Sequence, residues 1–201
     1  MIRAVPVFIF CIYSYLPGNV IAMPDNQQSS SAADFDTASI LTSSPDYNVE
    51  GHALRLVTTK DACILEHHLG TTEMSRLTLK LHPPCYMVTW NKNPPPRNST
   101  PDLSDGLPLG AVGEPMGWRY ASAGSALVLA VLGDAISQEA ASSNEYRVRK
   151  KKDFHCASSI QGILISKKQV SLTAVRANVG IFCAELGLEE QDFWLLAHPR
   201  R

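Results

Sequence analysis

The sequence predicts an α+β fold, in which a single, predominantly antiparallel β domain ends in one short C-terminal helix and is held by two disulfides. Short apolar and β-branched segments recur without regular helices between them, so the strand–helix alternation of a parallel sheet is missing. A segment near the C-terminus has the charge pattern of a helix, and four cysteines follow an N-terminal segment with the features of an export signal.

Several segments have the length and composition of β-strands. The continuous apolar run at 126–132 suits a central strand, because both faces of such a strand are buried. Residues 166–169 are typical of a hairpin connection between two of the other segments. The predicted strands are residues 53–57, 77–81, 85–90, 126–132, 160–165, 170–175 and 181–183.

One helix is predicted at residues 188–197. Acidic residues such as Glu189 and Asp192 lie in its first turns, and Pro199 and basic residues follow its end. This order complements the helix dipole and marks where the helix stops. We expect its aromatic face to pack on the sheet rather than to bind a partner.

Residues 1–22 have the order of features that is typical of a secretory signal peptide. Arg3 precedes an apolar stretch at 5–16, Pro17 follows this stretch and breaks the helix, and Ala22 supplies the small residue of a cleavage site. The stretch is shorter than the roughly 20 residues of a bilayer span, which favours cleavage over an uncleaved anchor or a buried helix. One of the 18 basic residues leaves with this segment, so the mature chain has 17 basic and 19 acidic side chains. No membrane insertion is expected after cleavage.

The rest of the chain divides into a lead segment and one domain. Residues 23–48 are rich in Ser, Asp, Asn and Gln and bury too little apolar surface to offset their ordering entropy, so we expect them to be flexible. Residues 49–201 are long enough for one β-rich domain. Within it, the Pro- and Gly-rich residues 91–117 are expected to form a long loop.

The candidate disulfide residues are Cys63, Cys85, Cys156 and Cys183, since Cys11 leaves with the signal peptide. Four cysteines allow three pairings. We favour Cys63–Cys85 and Cys156–Cys183, because each pair closes a short loop within one half of the chain. A metal site with four thiolate ligands is disfavoured, because no two cysteines have the close spacing that such sites usually contain.

Composition and motifs argue against several classes of function. Near-neutral charge disfavours a nucleic-acid binder. The glycines within 106–113 have the wrong spacing for a dinucleotide-binding loop. Ser122 is followed by Gly124 but preceded by Tyr120, so the G-x-S-x-G motif is absent. We therefore predict no cofactor, no metal and no catalytic residue.

An alternative is a small exported hydrolase or metal-dependent enzyme that uses Glu66, His67, His68, His82 and His155. Histidine and carboxylate side chains are able to bind a metal ion or to act as a base. On a strand, however, His67 and His68 point to opposite faces, and no histidine pair has helical ligand spacing. This alternative therefore depends on tertiary proximity that the sequence does not establish.

The candidate interaction patch is a basic run made of Arg147, Arg149, Lys150, Lys151 and Lys152, with five positive charges in six residues. Such a run attracts acidic surfaces, although it is also typical of a solvated loop or edge strand.

We predict an exported, periplasmic or secreted, disulfide-stabilised binding module, inhibitor- or immunity-like and non-catalytic. Its expected partner is an unknown protein or acidic ligand. A structural component of the cell envelope is a third possibility.

Overall fold

The described part of the protein is built mainly from β-strands, with three short α-helices. The structure is a computed structural model that describes residues 40–70, 73–92, 106–150, 152–167, 169–177 and 180–199. The strands are β1 (Ile40–Ser43), β2 (Tyr47–Val49), β3 (His52–Thr59), β4 (Cys63–Leu69), β5 (Ser75–Thr78), β6 (Tyr86–Met87), β7 (Gly106–Leu109), β8 (Gly117–Tyr120), β9 (Ala126–Gly133), β10 (Cys156–Ala157), β11 (Ser159–Ile165), β12 (Val170–Arg176) and β13 (Phe182–Cys183). The helices are α1 (Gln138–Ser142), α2 (Asn144–Lys150) and α3 (Glu190–Ala197), and a 3₁₀ helix at Ala184–Leu186 precedes α3.

The strands form two antiparallel sheets and one small ribbon. The first sheet has the order β1-β3-β4-β5, and β2 pairs with the other end of β3. The second sheet has the order β12-β11-β9-β8-β7, and β6 pairs with β9. Within the described ranges, strands β10 and β13 pair only with each other. This arrangement confirms the predicted α+β fold with predominantly antiparallel strands.

Strand β9 is the centre of the second sheet, and all of its residues are buried. Its alternate side chains enter two different cores because successive residues of a strand point to opposite faces. Leu129 belongs to a core that also contains Leu65 of the first sheet. Val128 belongs to a second core that also contains Phe193 of α3. The first sheet, the second sheet and α3 therefore pack as three successive layers, and the prediction of a central strand here is confirmed.

Helix α3 lies close to the second sheet at Gly162 of β11. A Cβ atom at this glycine would lie 2.9 Å from the methyl carbon of Thr173 and 3.1 Å from Cβ of Leu196 in α3. Phe193 and Leu196 are buried on this side of the helix. The predicted C-terminal helix and its packing on the sheet are therefore confirmed, with a helix that begins at Glu190.

Both predicted disulfides are present. Cys63–Cys85 joins β4 to the residue before β6, and both of its cysteines are buried. Cys156–Cys183 joins directly opposite residues of β10 and β13. Cys156 is partly exposed, whereas Cys63, Cys85 and Cys183 are buried.

The structure differs from the sequence prediction within 23–48 and 91–117. Strands β1 and β2 lie where we expected a flexible segment, because both pair with β3 and because Ser44 Oγ accepts a hydrogen bond from the Leu56 amide (2.9 Å). Strands β7 and β8 lie at the end of the predicted loop, where Trp90 donates to the Leu109 carbonyl (2.8 Å). The predicted signal peptide at 1–22, residues 23–39 and residues 93–105 lie outside the described residues.

Helices α1 and α2 were not predicted. Ser137 Oγ accepts a hydrogen bond from the Ala140 amide (3.2 Å), and Ser143 Oγ accepts one from the Tyr146 amide (3.1 Å). These are N-terminal capping interactions, and they stabilise the first turn of each helix. The basic run consequently begins on a helix rather than on an edge strand.

Candidate functional site

The basic run is divided between two sides of α2. Arg147 and Lys150 are exposed, whereas Tyr146 and Arg149 are partly buried. Each pair is three residues apart, so its members share one side of a helix. Lys152, in the turn after α2, is also exposed, and Lys151 lies outside the described residues. We call Arg147, Lys150 and Lys152 the basic face.

Arg149 attaches α2 to the ribbon of β10 and β13. Its Nη1 donates to the carbonyl oxygen of Ile181 (2.6 Å) and lies 3.7 Å from Sγ of Cys183. A hydrogen bond with a charged donor is stronger than a neutral one. One residue of the predicted patch therefore holds the helix in place, while the exposed members project from it.

The basic face has no carboxylate partner among the described residues. None of the ion pairs of that part of the chain includes Arg147, Lys150 or Lys152. Lys152 Nζ instead lies 5.9 Å from the centre of the Phe154 ring. Three positive charges are thus grouped on one surface without local neutralisation by the described side chains.

Lys167 does not extend the basic face. It lies in the turn between β11 and β12, whereas α2 leads into β10 at the opposite end of β11. The seven residues of β11 separate these ends by about 20 Å. This exceeds the Debye length of about 8 Å at physiological ionic strength, so the Lys167 charge is largely screened from the basic face.

A groove of about 500 Å³ lies next to Arg149. Apolar groups of Trp90, Met116 and Leu188 contribute to its surface, which also carries the charged side chains of Lys92, Arg149, Glu189 and Asp192. A cavity of this size with both apolar and charged groups is able to receive a side chain or a small ligand. The groove therefore adjoins α2 at Arg149, the residue next to Lys150 of the basic face.

Glu66 is held by two arginines on the outer face of the first sheet. Arg55 Nη2 lies 2.6 Å from Oε2, and Arg76 Nη2 lies 3.0 Å from Oε1. The side chain of Glu66 is only 7% exposed. Hydrogen bonding to Glu66 also raises the pKa of Arg55. Both carboxylate oxygens are thus occupied by guanidinium groups, which gives Glu66 the role of a buried structural anion.

The four histidines of the alternative site have separate environments. His67 lies on the opposite face of β4 from Glu66 and His68, and His68 Nδ1 is 2.9 Å from the Gly70 carbonyl. His82 Nδ1 lies 2.8 Å from Asp134 Oδ1, and His155 contacts Glu185. No hydrogen bond between described residues joins any two of Glu66, His67, His68, His82 and His155.

The Asp134–His82 contact has a defined electrostatic effect. Burial raises the pKa of Asp134, but hydrogen bonds from Ser159 and from the backbone and ring of His82 outweigh this, so the pKa lies below its ordinary value. Within the described residues, no group of three or more His, Cys, Asp or Glu side chains is arranged to hold a metal ion.

Ser122 and His198 form a contact that the sequence did not predict. Ser122 Oγ lies 2.8 Å from His198 Nε2, although the two residues are separated by 76 positions. Neither residue was a predicted site residue. No spacing rule links them, because only the packing of α3 against the second sheet brings them together.

Comparison with known proteins finds no relative. No family model, no curated protein sequence and no solved structure matches this chain.

The two disulfides are the structural feature that bears on location. Disulfides persist in oxidising compartments and are rare in the cytosol, so Cys63–Cys85 and Cys156–Cys183 are typical of an exported protein. Of the helices in the described ranges, none has both the length and the apolar character needed to cross a bilayer.

Proposed function

We propose that this protein is an exported binding protein, periplasmic or secreted, that contacts an acidic protein partner through the basic face. The observation that carries the proposal is the grouping of Arg147, Lys150 and Lys152 without a carboxylate partner among the described residues. Charges that are not neutralised within the protein attract opposite charges on a partner and increase the rate of encounter.

The support of α2 favours the same proposal. Arg149 fixes the helix to Ile181, the residue before β13, and the Cys156–Cys183 bond fixes β13 to β10. A rigid surface loses less conformational entropy on binding than a flexible one. Arg147 and Lys150, two of the three residues of the basic face, are therefore presented by an anchored helix.

The groove next to Arg149 suggests what the partner contains. Exposed charges alone contribute little affinity, whereas an apolar side chain buried in a pocket often contributes most of it. Trp90 and Met116 supply apolar surface for such a side chain. We expect the partner to present acidic residues beside an apolar side chain that enters the groove.

A pair of charge-matched variants tests the proposal. Arg147→Glu/Lys150→Glu/Lys152→Glu reverses the basic face, and Lys60→Glu/Lys80→Glu/Lys167→Glu reverses three exposed lysines elsewhere. Both variants change the net charge equally. The probe is a glutamate-rich peptide with one central Trp, titrated by calorimetry at low salt.

We expect the first variant to weaken binding by about tenfold, since three exposed charge contacts contribute roughly 0.5 kcal/mol each. The second variant should bind as the natural chain does. Equal weakening in both variants, or no weakening in either, would contradict a localised site. Chemical cross-linking in an extract of the native host then identifies the partner, whose capture should depend on the first set of residues only.

A further inference from the structure

The hydrogen bonds around His198 define its tautomer. His198 Nδ1 lies 2.9 Å from the carbonyl oxygen of Trp194, and a carbonyl oxygen only accepts hydrogen bonds. Nδ1 of the neutral ring therefore carries the proton, and Nε2 carries the lone pair. Ser122 Oγ, 2.8 Å from Nε2, consequently donates its proton toward the imidazole. This is the relation between a nucleophilic serine and its general base.

Aromatic side chains hold the imidazole in this orientation. The Trp194 ring stacks on His198 with 4.5 Å between ring centres, and the Tyr120 ring meets it edge-on at 5.7 Å. Tyr120 is itself fully buried, and its hydroxyl donates to the carbonyl of Glu190 (3.1 Å). The base is thus oriented by α3 and β8, and the Trp194 carbonyl takes the position that a carboxylate has in a serine–histidine–aspartate triad.

The position of the pair makes it accessible to substrate. His198 is the residue that follows α3 and is partly exposed. The serine lies in the exposed turn between β8 and β9, where a substrate is able to reach it.

A cavity of about 420 Å³ adjoins the histidine. His198 contributes to its surface, together with largely apolar groups of Ala174, Leu196 and Pro199. The charged side chain in the surface, Arg176, is paired with Asp192 (3.3 Å). A short acyl chain matches this volume and this lining.

We propose that Ser122 and His198 form a nucleophile–base pair that hydrolyses carboxylic esters with short acyl chains. This activity is separate from binding at the basic face and goes beyond it. Ser122 Oγ bonds to the ester carbonyl carbon while its proton passes to His198 Nε2. The bond to the alcohol breaks, and the alcohol leaves with that proton. Water then attacks the acyl-serine, its proton returns through Nε2 to Ser122, and a carboxylic acid is released.

Labelling with a fluorophosphonate tests the pair without knowledge of the natural ester. Ser122 Oγ displaces fluoride from phosphorus, and mass spectrometry locates the phosphonylated residue. We expect one label, at Ser122, that is absent from Ser122→Ala. The control variant is Ser142→Ala, because Ser142 is also exposed but its hydroxyl donates to the main-chain carbonyl of Glu139 (2.6 Å) rather than to an imidazole. This control should be labelled at the same rate as the natural chain.

Replacement of the base separates catalysis from folding. His198→Phe keeps an aromatic ring for stacking on Trp194 but removes the proton acceptor, so the labelling rate should fall by about 10²–10⁴-fold. Hydrolysis of p-nitrophenyl acetate should fall in parallel, with the circular dichroism spectrum unchanged. Three outcomes would each overturn the proposal. The folded protein is labelled no faster than the urea-unfolded protein, the labels are spread over other serines, or folded His198→Phe is labelled at an unchanged rate.

Discussion

The guanidinium group of Arg149 donates a 2.6 Å hydrogen bond to the carbonyl oxygen of Ile181, and this contact holds α2 on the ribbon of β10 and β13. The residue nevertheless belongs to a run of five basic side chains in six positions. Membership of a charged run therefore does not decide a residue's role. Arg149 acts by holding the helix, and its exposed neighbours act through their charge.

Replacement of Arg149 by Met should release α2 from the ribbon. The loss of a charge-assisted hydrogen bond should cost about 1.5 kcal/mol, while the methionine retains much of the apolar packing. Hydrogen exchange of the amides in α2 should accelerate more than that of amides in β9. Arg147→Met is the matched control, because Arg147 is exposed and should change neither quantity. Equal protection of α2 in both variants would contradict the anchoring role.

Local sequence signals were sufficient for the main body of the fold. The apolar run that forms β9 contains no polar residue that would mark a solvent-facing side. The two cysteine pairs close short loops, with sequence separations of 22 and 27 residues. Short loops and continuous burial are properties of neighbouring residues. They are therefore accessible without knowledge of the tertiary structure.

Features that depend on distant contacts were not predicted. Strand β1 forms because β3 offers an edge, and the Glu66 carboxylate is occupied because β3 and β5 place Arg55 and Arg76 beside it. The Ser122–His198 contact likewise requires α3 to be packed on the second sheet. The caps of α1 and α2 were local signals, but the basic run next to them favoured a loop or edge-strand interpretation.

The two disulfides should differ in their accessibility to reductant. Thiol–disulfide exchange requires access to a sulfur atom, and Cys156 is partly exposed, whereas Cys63 and Cys85 are 0% and 5% exposed. Under native conditions dithiothreitol should therefore reduce Cys156–Cys183 first. Alkylation at timed intervals followed by peptide mass spectrometry measures the order. Earlier alkylation of Cys63 and Cys85 would refute it.

Loss of the second disulfide should also destabilise the protein. A loop of 27 residues corresponds to about 3 kcal/mol on the chain-entropy model. Cys156→Ser/Cys183→Ser should therefore lower the free energy of unfolding by about 3 kcal/mol, as measured by denaturant titration followed by tryptophan fluorescence. A change below about 1 kcal/mol would mean that the ribbon contributes little constraint.

Gln161 should be one of the most sensitive polar positions in the core. Its side chain is fully buried, accepts a hydrogen bond from the Lys80 amide (2.8 Å) and donates one to the Thr173 carbonyl (2.8 Å). Gln161→Leu keeps the volume but leaves two main-chain groups without their partner, so it should cost about 2 kcal/mol or more. Gln169→Leu, at an exposed position, should cost less than about 0.5 kcal/mol. Chemical denaturation measures both, and equal stability of the two variants would show that Gln161 does not have this bridging role.

His67 should make the stability of the protein depend on pH near neutrality. Burial lowers the pKa of His67, and the neighbouring His52 and His68 lower it further. The unfolded chain, in which the pKa is about 6.5, therefore binds a proton at a pH where the folded protein does not. The contribution of His67 to stability is fully present above the unfolded-state pKa and is lost as the pH falls through the lower pKa of the folded state.

His67→Gln isolates this contribution because glutamine has no charge in the same range. The free energy of unfolding of the natural chain should fall more steeply between pH 7 and pH 5 than that of the variant, in denaturant titrations at matched ionic strength. Because His67 lies on the face of β4 opposite Glu66, the difference should persist when the Arg55–Glu66 ion pair is removed by Arg55→Met/Glu66→Gln. Parallel pH profiles for the natural chain and His67→Gln would mean that His67 titrates alike in the folded and unfolded states, contrary to its partly buried position beside two other imidazoles.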